Sequence, residues 1–480
     1  MLLMGSAAKL TGPATKTVFL EDMPPEQIAQ VVAPCGLVNI GNTCYLNSVI
    51  QCLRAVKPFR SGLAEYIHRL PRTQASNFVT ELRDLYEVMK RTPEPVPPYK
   101  FVMVTQAAFP QFAQLGPQGQ PMQQDAEEFL SGVLTLASAE MMGKDKIRQG
   151  LTLRNGDEDL KGATNLVDAV FGLQMEETLT CDEFDNTAME DDNVVTEQPV
   201  KSFDLHRKLV CNIQGGSDGN TNVNVNHIAE GIHLSLEGKI EKRSDVLGRD
   251  AVWSRKQRIS RLPPFLVVQF GRFYWKTTPD SQDHAGVKCK VMKPVAFNSI
   301  LDTFEFCNTE IQAILKKSRD KALAAEEDRI NKKLLGQDNE DGDKKPAAAV
   351  DGDVSMDDAA EDDEEAAALQ AALAMSMEPE EVHEPPVGPG LPVDFQGIYE
   401  LFAVVTHKGR DADGGHYMGW VKAETQGNDM AKIGDTDEAN EDWFVFDDDE
   451  VSPCKTEDVL KLKGGGDWHM SYLNFYRAKK

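Results

Sequence analysis

The stretch GLVNIGNTCYLNSVIQCL, residues 36–53, carries the pattern that decides the first structural element of this chain. After Cys44 its apolar residues recur at intervals of three and four, which is the period of a helix with one buried face. The residues at 41–43 are of the types that form turns and cap helices. The stretch therefore predicts an amphipathic helix over 43–56. The expected buried face consists of Leu46, Val49, Ile50 and Leu53.

The position of Cys44 on the first turn of this helix is compatible with nucleophilic chemistry. The amino end of a helix has a partial positive charge and unpaired backbone N–H groups, and both favour a thiolate over a thiol. A cysteine at a helix start is also commonly a small buried residue with no chemical role. The helix alone leaves both interpretations open, so the choice depends on whether the chain supplies a base.

A candidate base and a candidate orienting group occur near the end of the chain. His416 follows two glycines and opens the apolar segment 416–423, and Asp447 ends the aromatic-rich segment 442–447. If these segments are adjacent antiparallel strands, the start of one lies beside the end of the other. Cysteine catalysis needs a base near the thiol and a group that orients the base. The sequence therefore predicts that Cys44, His416 and Asp447 come together.

At this point five segments, taken in order, resemble the ubiquitin-specific proteases, a family of papain-like thiol isopeptidases. They are the stretch 36–53, QQDAEEFL at 123–130, RLPPFL at 261–266, GGHY at 414–417 and FDDD at 446–449. The resemblance extends from about residue 35 to the end of the chain, apart from one insert. It implies an α+β fold with a helical thumb, and with a palm and fingers built from antiparallel strands.

The resemblance also implies roles for individual residues. Cys44 would be the nucleophile and His416 the general base and acid, while Asn39 would stabilise the oxyanion together with the backbone N–H of Cys44. Asp447 would hold the imidazole in orientation. Asp448 is the alternative for this role, since the sequence does not separate two adjacent carboxylates.

His407 is a second candidate base, nine residues before His416. Because it lacks the motif that surrounds His416, we interpret it as a polar residue of a loop. The Gly- and Asp-rich loop 409–415 lies between the two histidines. In the resembled enzymes a loop here partly blocks the cleft until activation, so the free protein is expected to be autoinhibited.

The implied substrate is the C-terminus of ubiquitin, which ends in two glycines. A narrow channel selects such a tail, because only residues without Cβ fit where two backbones run close together. Polar residues at the start of the helix predicted over 122–142 are also explained by ordinary helix-start polarity. The residues expected to bind substrate are Gln124, Asp125, Gly414, Gly415 and Tyr417.

Two more segments, FPQFA at 109–113 and GGGDWH at 464–469, resemble the family members that associate with the proteasome. This resemblance implies ubiquitin, ubiquitinated proteins and the proteasome regulatory particle as partners, and a cytoplasmic and nuclear location. Residues 1–33 are expected to be the remnant of a ubiquitin-like domain and its linker. The catalytic domain is predicted at 34–480.

Composition narrows the remaining classes. A chain of 480 residues with 41% hydrophobic composition can fill a sizeable core. Its net charge of −26 argues against nucleic acid and anionic membranes as main partners.

Eight scattered cysteines without a Cys-x-x-Cys pair indicate free thiols. Many relatives hold zinc where Cys181 and Cys211 stand alone here, so we expect no metal and no cofactor. Without coiled-coil heptads, a monomer is the default expectation.

Residues 338–390 form an acidic insert that is predicted to be disordered. Between 338 and 384 it has 17 Asp and Glu against two Lys, and its apolar residues are mostly alanine. Such a composition cannot offset the entropy of ordering. The piece 364–378 combines an acidic start with strong helix formers and resembles a ubiquitin-interacting motif; the alternative is an Ala-rich linker helix. The motif positions are Leu369, Ala372, Leu373 and Ser376.

Two functions of different class follow from these patterns. The first is a deubiquitinating thiol isopeptidase, which the Cys44, His416 and Asp447 set favours. The second is a ubiquitin-binding scaffold or regulator of the proteasome with minor or latent catalysis, which the motif at 364–378 favours. A papain-like protease of other specificity is a more remote possibility.

Overall fold

The structure is a computed structural model of the chain. It describes residues 34–68, 70–153, 162–184, 197–214, 224–276, 287–334, 387–410, 414–423 and 442–479. The N-terminal segment 1–33 and the motif at 364–378 lie outside these ranges, and the predictions for them stay predictions.

The helices of the described residues are concentrated in the first part of the chain. In order they are α1 (Cys44–Arg54), α2 (Lys57–Ala64), α3 (Gln74–Arg91), α4 (Tyr99–Ala108), α5 (Ala126–Glu140), α6 (Lys144–Gly150), α7 (Leu166–Phe171), α8 (Ile228–Leu236), α9 (Thr309–Leu334) and α10 (Thr456–Leu460). The two helices predicted over 43–56 and 122–142 are α1 and α5, with ends that differ by up to four residues.

The strands follow mainly in the second part. They are β1 (Leu173–Cys181), β2 (Val200–His206), β3 (Leu209–Cys211), β4 (Glu237–Arg243), β5 (Asp250–Arg261), β6 (Phe265–Phe270), β7 (Phe273–Lys276), β8 (Val287–Lys290), β9 (Ile300–Asp302), β10 (Ile398–Lys408), β11 (His416–Lys422), β12 (Asp442–Asp447), β13 (Glu450–Lys455) and β14 (Met470–Ala478). The mixture of helices and mainly antiparallel sheets confirms the predicted α+β class.

The central sheet has the strand order β13-β12-β11-β10-β14-β6-β3, with β9 beside β10. All neighbours are antiparallel except β3 and β6. One face of the sheet shares a continuous core with the helices α1–α7. The other face packs against α8, α9 and α10. The helices α1–α7 form the thumb and the central sheet forms the palm. Because they share a core, their relative position is fixed by burial of apolar side chains.

The four stripe residues of α1 lie at the centre of the shared core. Leu46, Val49, Ile50 and Leu53 are each 0% exposed, as the helical period predicts. Burial of such a side chain is worth about 1.5–3 kcal/mol. This face holds α1 against β11, where Gly419 passes so close that an added Cβ would lie 3.1 Å from the carbonyl oxygen of Ser48.

A second sheet, in the order β2-β1-β5-β4, forms the fingers. Its strands are mostly polar and half-exposed, and every residue of β2 from Val200 to Leu205 is exposed. A small apolar cluster holds the outer part of the sheet together. It consists of Leu179, Cys181, Ala251 and Trp253.

Two elements leave the sheets. β7 and β8 form a separate hairpin beside β6, and Phe273 begins it instead of extending the edge of β6. α9 has 26 residues and a polar composition. Among the described residues, the structure contains no helix that is both long and apolar enough to span a bilayer.

The end of the acidic insert is corrected by the structure. The sequence predicts that the insert extends to residue 390, but the four residues 387–390 pack against the catalytic domain. Val387 is 7% exposed and its carbonyl oxygen accepts a hydrogen bond from the backbone N–H of Leu262 at 3.3 Å. Gly388 lies so close to Leu262 that an added Cβ would be 1.9 Å from the carbonyl oxygen. The rest of the insert, 338–386, lies outside the described residues.

Candidate active site

Cys44 is the first residue of α1 and is 1% exposed. Gly41 and Asn42 have φ of +119° and +52°, so the chain turns sharply into the helix just before the cysteine. Thr43 does not cap the helix with its side chain as its type suggests. Its hydroxyl accepts a hydrogen bond from the backbone N–H of Ile40 at 3.2 Å, within the turn. The thiol therefore stands at the positive end of a helix dipole, in a rigid turn.

His416 is brought to Cys44 by the packing of β11 against α1. It is the first residue of β11, and Asp447 is the last residue of the adjacent antiparallel strand β12. Nε2 of His416 lies 2.5 Å from Oδ1 of Asp447. The Cys44 side chain also interacts with this imidazole and raises its pKa.

The environment of His416 favours its protonated form. The hydrogen bond with the Cys44 side chain is the largest cause, and the Asp447 carboxylate adds to it, while burial acts in the opposite direction. Together they raise the pKa of His416 to about 9. The imidazolium is the form that stabilises a nearby thiolate by charge.

Asp448 makes its side-chain hydrogen bonds with two asparagines and not with the imidazole that Asp447 contacts. It has φ of +54° and is 9% exposed. Its Oδ2 accepts a hydrogen bond from Nδ2 of Asn39 and its Oδ1 accepts one from Nδ2 of Asn47, both at 2.8 Å. Burial raises the pKa of Asp448 against these two hydrogen bonds. The two adjacent carboxylates thus face different partners, a distinction that the sequence leaves open.

Asn39 is held by both ends of its side-chain amide. Its Oδ1 accepts hydrogen bonds from the backbone N–H groups of Gly41 at 3.0 Å and of Thr43 at 3.3 Å. Its Nδ2 donates to Asp448. An amide nitrogen carries two hydrogens, so this contact fixes the direction of the group and engages one of them. The residue is exposed and lies in the turn that leads to Cys44.

Gln123 is a site residue that the sequence analysis does not predict. Its Nε2 lies 3.8 Å from Sγ of Cys44 and donates to the carbonyl oxygen of Gly415 at 2.5 Å. It therefore connects the thumb to the loop before His416, directly beside the thiol. The signal in the sequence is the run of three polar residues, 123–125, before an apolar helix, but that run does not show which member reaches the cysteine.

Asp125 caps α5, as helix-start polarity predicts. Its Oδ1 accepts hydrogen bonds from the backbone N–H of Glu127 at 2.8 Å and from the hydroxyl of Tyr472 at 2.7 Å. Gln124 lies between Gln123 and Asp125 and is half-buried. The structure therefore gives Asp125 a structural role, and a contact with substrate stays a prediction for both residues.

Gly415, directly before His416, is required by its backbone conformation and by its close neighbours. Gly415 has φ of +117°, and an added Cβ would lie 2.2 Å from the carbonyl oxygen of Lys408 and 2.7 Å from the ring of His407. Gly414 is half-buried and Gly415 is exposed at the surface of the site. Tyr417 is 3% exposed, with its ring centroid 4.6 Å from that of His407. Tyr417 thus lies beneath the site and supports its floor.

The interpretation of His407 as a polar loop residue is wrong. His407 belongs to β10, where it pairs with Tyr417, and it is 1% exposed. The strand continues to Lys408 because β11 pairs with it up to that residue. The Nδ1 of His407 is bonded to Nζ of Lys290 at 2.5 Å.

Within the described residues, the potential metal ligands that come close together in a group of three are His416, Asp447 and Asp448. Their contacts with one another and with Cys44 and Asn39 account for this proximity. Cys181 and Cys211 are buried in different apolar clusters, Cys181 in the fingers and Cys211 on strand β3 of the central sheet. The absence of zinc remains a prediction.

The class of protein that this fold and site define is a cysteine-type hydrolase. The sequence profile described as "Ubiquitin carboxyl-terminal hydrolase" matches residues 35–476, and the chain belongs to this family. It is therefore a cysteine-type deubiquitinating hydrolase.

Relatives from three organisms are similar over the whole chain. "Ubiquitin carboxyl-terminal hydrolase 6" of Arabidopsis thaliana is 34% identical over 100% of this chain and 85% of its own length. The protein of the same name in Schizosaccharomyces pombe is 30% identical, with the same shares covered. "Ubiquitin carboxyl-terminal hydrolase 14" of Caenorhabditis elegans is 28% identical over 100% of this chain and 80% of its own length.

Proposed function

We propose that this chain cleaves the isopeptide bond between ubiquitin and protein lysines by a Cys–His–Asp mechanism, and that it is proteasome-associated and autoinhibited when free. The observation that carries the mechanism is the position of one imidazole between two partners. Nε2 of His416 contacts the carboxylate of Asp447, and the side chain of Cys44 interacts with the same imidazole. This is the arrangement that activates a thiol and later protonates an amine.

The bond changes follow from this geometry. The thiol proton of Cys44 passes to Nδ1 of His416, and Sγ attacks the carbonyl carbon of the ubiquitin C-terminal glycine. The imidazolium then gives its proton to the leaving lysine amine, which leaves a thioester. A water molecule gives a proton to His416 and attacks the thioester carbonyl, and the thiolate departs. Asp447 keeps the ring in orientation and stabilises its charged form through both proton transfers.

The oxyanion of each tetrahedral intermediate is proposed to lie between the backbone N–H of Cys44 and the amide of Asn39. Asn39 is fixed by its contacts with Asp448 and with the turn before the helix. A donor that is already oriented does not have to reorganise when charge develops, which is why such groups are worth a few kcal/mol.

The ubiquitin tail is proposed to pass between the start of α5 and the loop before β11. Gln124 and Asp125 would lie on one side, and Gly414 and Gly415 on the other, with Tyr417 beneath. The two sides are joined in this structure by the hydrogen bond from Gln123 to the carbonyl of Gly415. A tail that enters between them has to displace this contact. The hydrogen bond between Gln123 and Gly415 supports the proposal that the free enzyme is autoinhibited.

Association with the proteasome regulatory particle, and with it a cytoplasmic and nuclear location, is proposed from the resemblance of 109–113 and 464–469 to family members with that partner. The decisive experiment is reaction of the purified chain with ubiquitin that bears a thiol-reactive electrophile at its C-terminus, with and without proteasomes. An adduct at Cys44 that increases with proteasomes is the expected result. Full reaction of the free chain contradicts autoinhibition.

The alternative function, a ubiquitin-binding scaffold with minor catalysis, is tested with the Cys44→Ala variant. Lost hydrolysis with retained ubiquitin binding supports the enzyme. Unchanged hydrolysis excludes Cys44 as the nucleophile. A change of Leu369 and Leu373 to Ala then tests whether the segment 364–378 contributes to binding.

A further inference from the structure

The mechanism above does not use Lys290, although this lysine lies beside His407 and Gly409, at the end of strand β10 that precedes the glycines before His416. It is the last residue of β8 and is half-buried. Its hairpin contacts the central sheet through Phe273, whose ring centroid lies 5.3 Å from that of His407 and 5.1 Å from that of Tyr472. The ammonium lies 6.0 Å from the centre of the Phe273 ring.

Three acceptors surround the side-chain nitrogen of Lys290. They are Nδ1 of His407 at 2.5 Å, the carbonyl oxygen of His407 at 3.2 Å and the carbonyl oxygen of Gly409 at 2.8 Å. An ammonium has three hydrogens, so the donors and acceptors match in number. A hydrogen bond donated to Nδ1 requires that the hydrogen of neutral His407 is on Nε2.

Burial of the charged side chain of Lys290 is unfavourable, which indicates that its contacts have a function that offsets this. Burial is the main cause that lowers the pKa of Lys290 to about 7, and the neighbouring charge of Arg272 acts in the same direction. The same loop also has an exposed ion pair, Arg410 with Asp467 at 2.5 Å. Exposed ion pairs are weak because water and salt screen them, so the half-buried contacts of Lys290 are the stronger attachment of this loop.

The effect of Lys290 extends to the substrate side through His407 and Gly415. Because an added Cβ on Gly415 would lie 2.7 Å from the His407 ring, the Gly415 backbone rests on that ring. Gly415 presents its carbonyl oxygen to Gln123 and is followed directly by His416. A ring that is fixed by Lys290 therefore fixes the height of the loop at the cleft.

We propose that Lys290 is a positioning residue for this reaction: its nitrogen fixes His407 and Gly409, and through them holds Gly414 and Gly415 as one wall of the channel for the ubiquitin tail. The inference rests on the proposed function, because it needs a tail that passes this wall. Lys290 touches neither Cys44 nor the Asp447–His416 pair in this assignment. It acts on access of the substrate and not on the thiol.

The test compares two electrophiles that react with the same sulfur. Alkylation by iodoacetamide, followed at Cys44 by peptide mass spectrometry, reports on the thiol and His416 without the channel, whereas ubiquitin with a C-terminal electrophile also needs the channel. In Lys290→Met the ubiquitin probe is expected to react at least about tenfold more slowly, since a misplaced wall costs orientation. The iodoacetamide rate is expected to stay within about twofold. Lys293→Met, three residues further along the chain, is the control and should match the wild type in both reactions.

His407→Phe provides the second variant, because it keeps a ring under Gly415 but removes the acceptor for Lys290. The two substitutions act on one contact, so the double variant is expected to lose no more than the stronger single variant. Additive losses contradict the pairing. If Lys290→Met does not fold, Lys290→Arg replaces it: a planar guanidinium cannot direct three hydrogens from one atom, and the ubiquitin probe should again slow.

Two results overturn the inference. One is an unchanged rate with the ubiquitin probe in Lys290→Met, and the other is an equal loss with both electrophiles, which would indicate general damage to the site. Failure of the proposed function looks different. In that case the wild type reacts with iodoacetamide at Cys44 but never with the ubiquitin probe, with or without proteasomes.

Discussion

Asn39 and Asp448, which are 409 positions apart in the sequence, are joined by a hydrogen bond of 2.8 Å from Nδ2 to Oδ2. The contact ties the turn before α1 to the residue that follows β12. A second contact in the same place, from the backbone N–H of Leu37 to the carbonyl oxygen of Asp448 at 2.9 Å, strengthens it. The proposed oxyanion donor is therefore oriented by the carboxylate next to the one that orients the imidazole.

Asp448→Ala is expected to lower kcat roughly tenfold to a hundredfold, because Asn39 loses the partner that aims its amide. KM should change little, since the ground-state carbonyl has no full negative charge. The measurement is steady-state cleavage of a fluorogenic ubiquitin C-terminal amide. Asp449→Ala, which alters the exposed neighbouring carboxylate, is the control, and wild-type kcat in Asp448→Ala would exclude this role.

The pH dependence of the reaction follows from the pKa of His416. The imidazolium persists up to about pH 9, so kcat/KM should fall above that pH as the general acid is lost. Asp447→Asn removes one cause of the raised pKa and is expected to move this alkaline limb to lower pH. Asp448→Asn should leave the limb in place. A limb at the same pH in wild type and Asp447→Asn would contradict the assigned contact.

The same pKa shift has a consequence for stability. The pKa of His416 is raised above its ordinary 6.5, so its stabilising contribution is complete below pH 6.5 and is lost as the pH rises to about 9. The Cys44 hydrogen bond is the largest cause. In Cys44→Ala the imidazole is expected to titrate at a lower pH, which NMR can follow directly. An unchanged titration would show that the thiol does not contact the ring.

Gly415→Ala is expected to reduce kcat/KM by about a hundredfold or more. The new Cβ would meet the carbonyl oxygen of Lys408 and the ring of His407, and alanine is strained at a φ of +117°. The loop has to shift, and a shift of about 1 Å near the chemistry is worth two orders of magnitude. Gly466→Ala is the matched control because an added Cβ there meets nothing within 4 Å. Near wild-type activity of Gly415→Ala would contradict the close packing.

His469 should contribute to the acid sensitivity of the fold. It is 5% exposed, and burial is the main cause that lowers its pKa to about 4 from 6.5. The unfolded chain therefore binds a proton first, and stability falls as the pH drops from 6.5 towards 4, by a few kcal/mol in all. His469→Gln has no imidazole at this position, so this part of the loss of stability in acid should be absent.

Melting temperatures between pH 7 and 4.5 provide the measurement for His469. The melting temperature of His469→Gln should fall less than that of the wild type between pH 7 and 4.5, although the variant is less stable at pH 7. In the wild type, Nδ1 of His469 is hydrogen-bonded with the hydroxyl of Thr406 at 3.1 Å. Glutamine keeps a polar partner for that hydroxyl. Parallel pH curves for the two proteins would show that His469 does not titrate in this range.

Local patterns were sufficient for the elements that carry the reacting groups. The stripe after Cys44 predicts α1, and its four apolar residues are buried. The segment 442–447 has the predicted bounds, and β11 differs by one residue at its end. Periods of 3.6 and 2 residues are local properties of a chain that buries one face of each element, and they can be read without knowledge of the partners.

The errors occurred where pairing decides the outcome. The sequence predicts a loop position for His407 because it lacks the motif that surrounds His416, but strand β11 pairs with it and it lies in the core. The acidic, Ala-rich composition predicts a disordered insert that extends to residue 390. Contacts with Leu262 order residues 387–390 despite that composition.

The family, the α+β class and the helix and strands that bear Cys44, His416 and Asp447 could be predicted from the amino-acid sequence. Tertiary packing was needed to show that Asp447 contacts the imidazole while Asp448 contacts Asn39, and that Gln123 reaches the thiol. The reason is physical: periodicity tells which residues share a face of one element, but not what that face meets. Those partners come from chain segments hundreds of residues away, and packing of the thumb against the palm selects them.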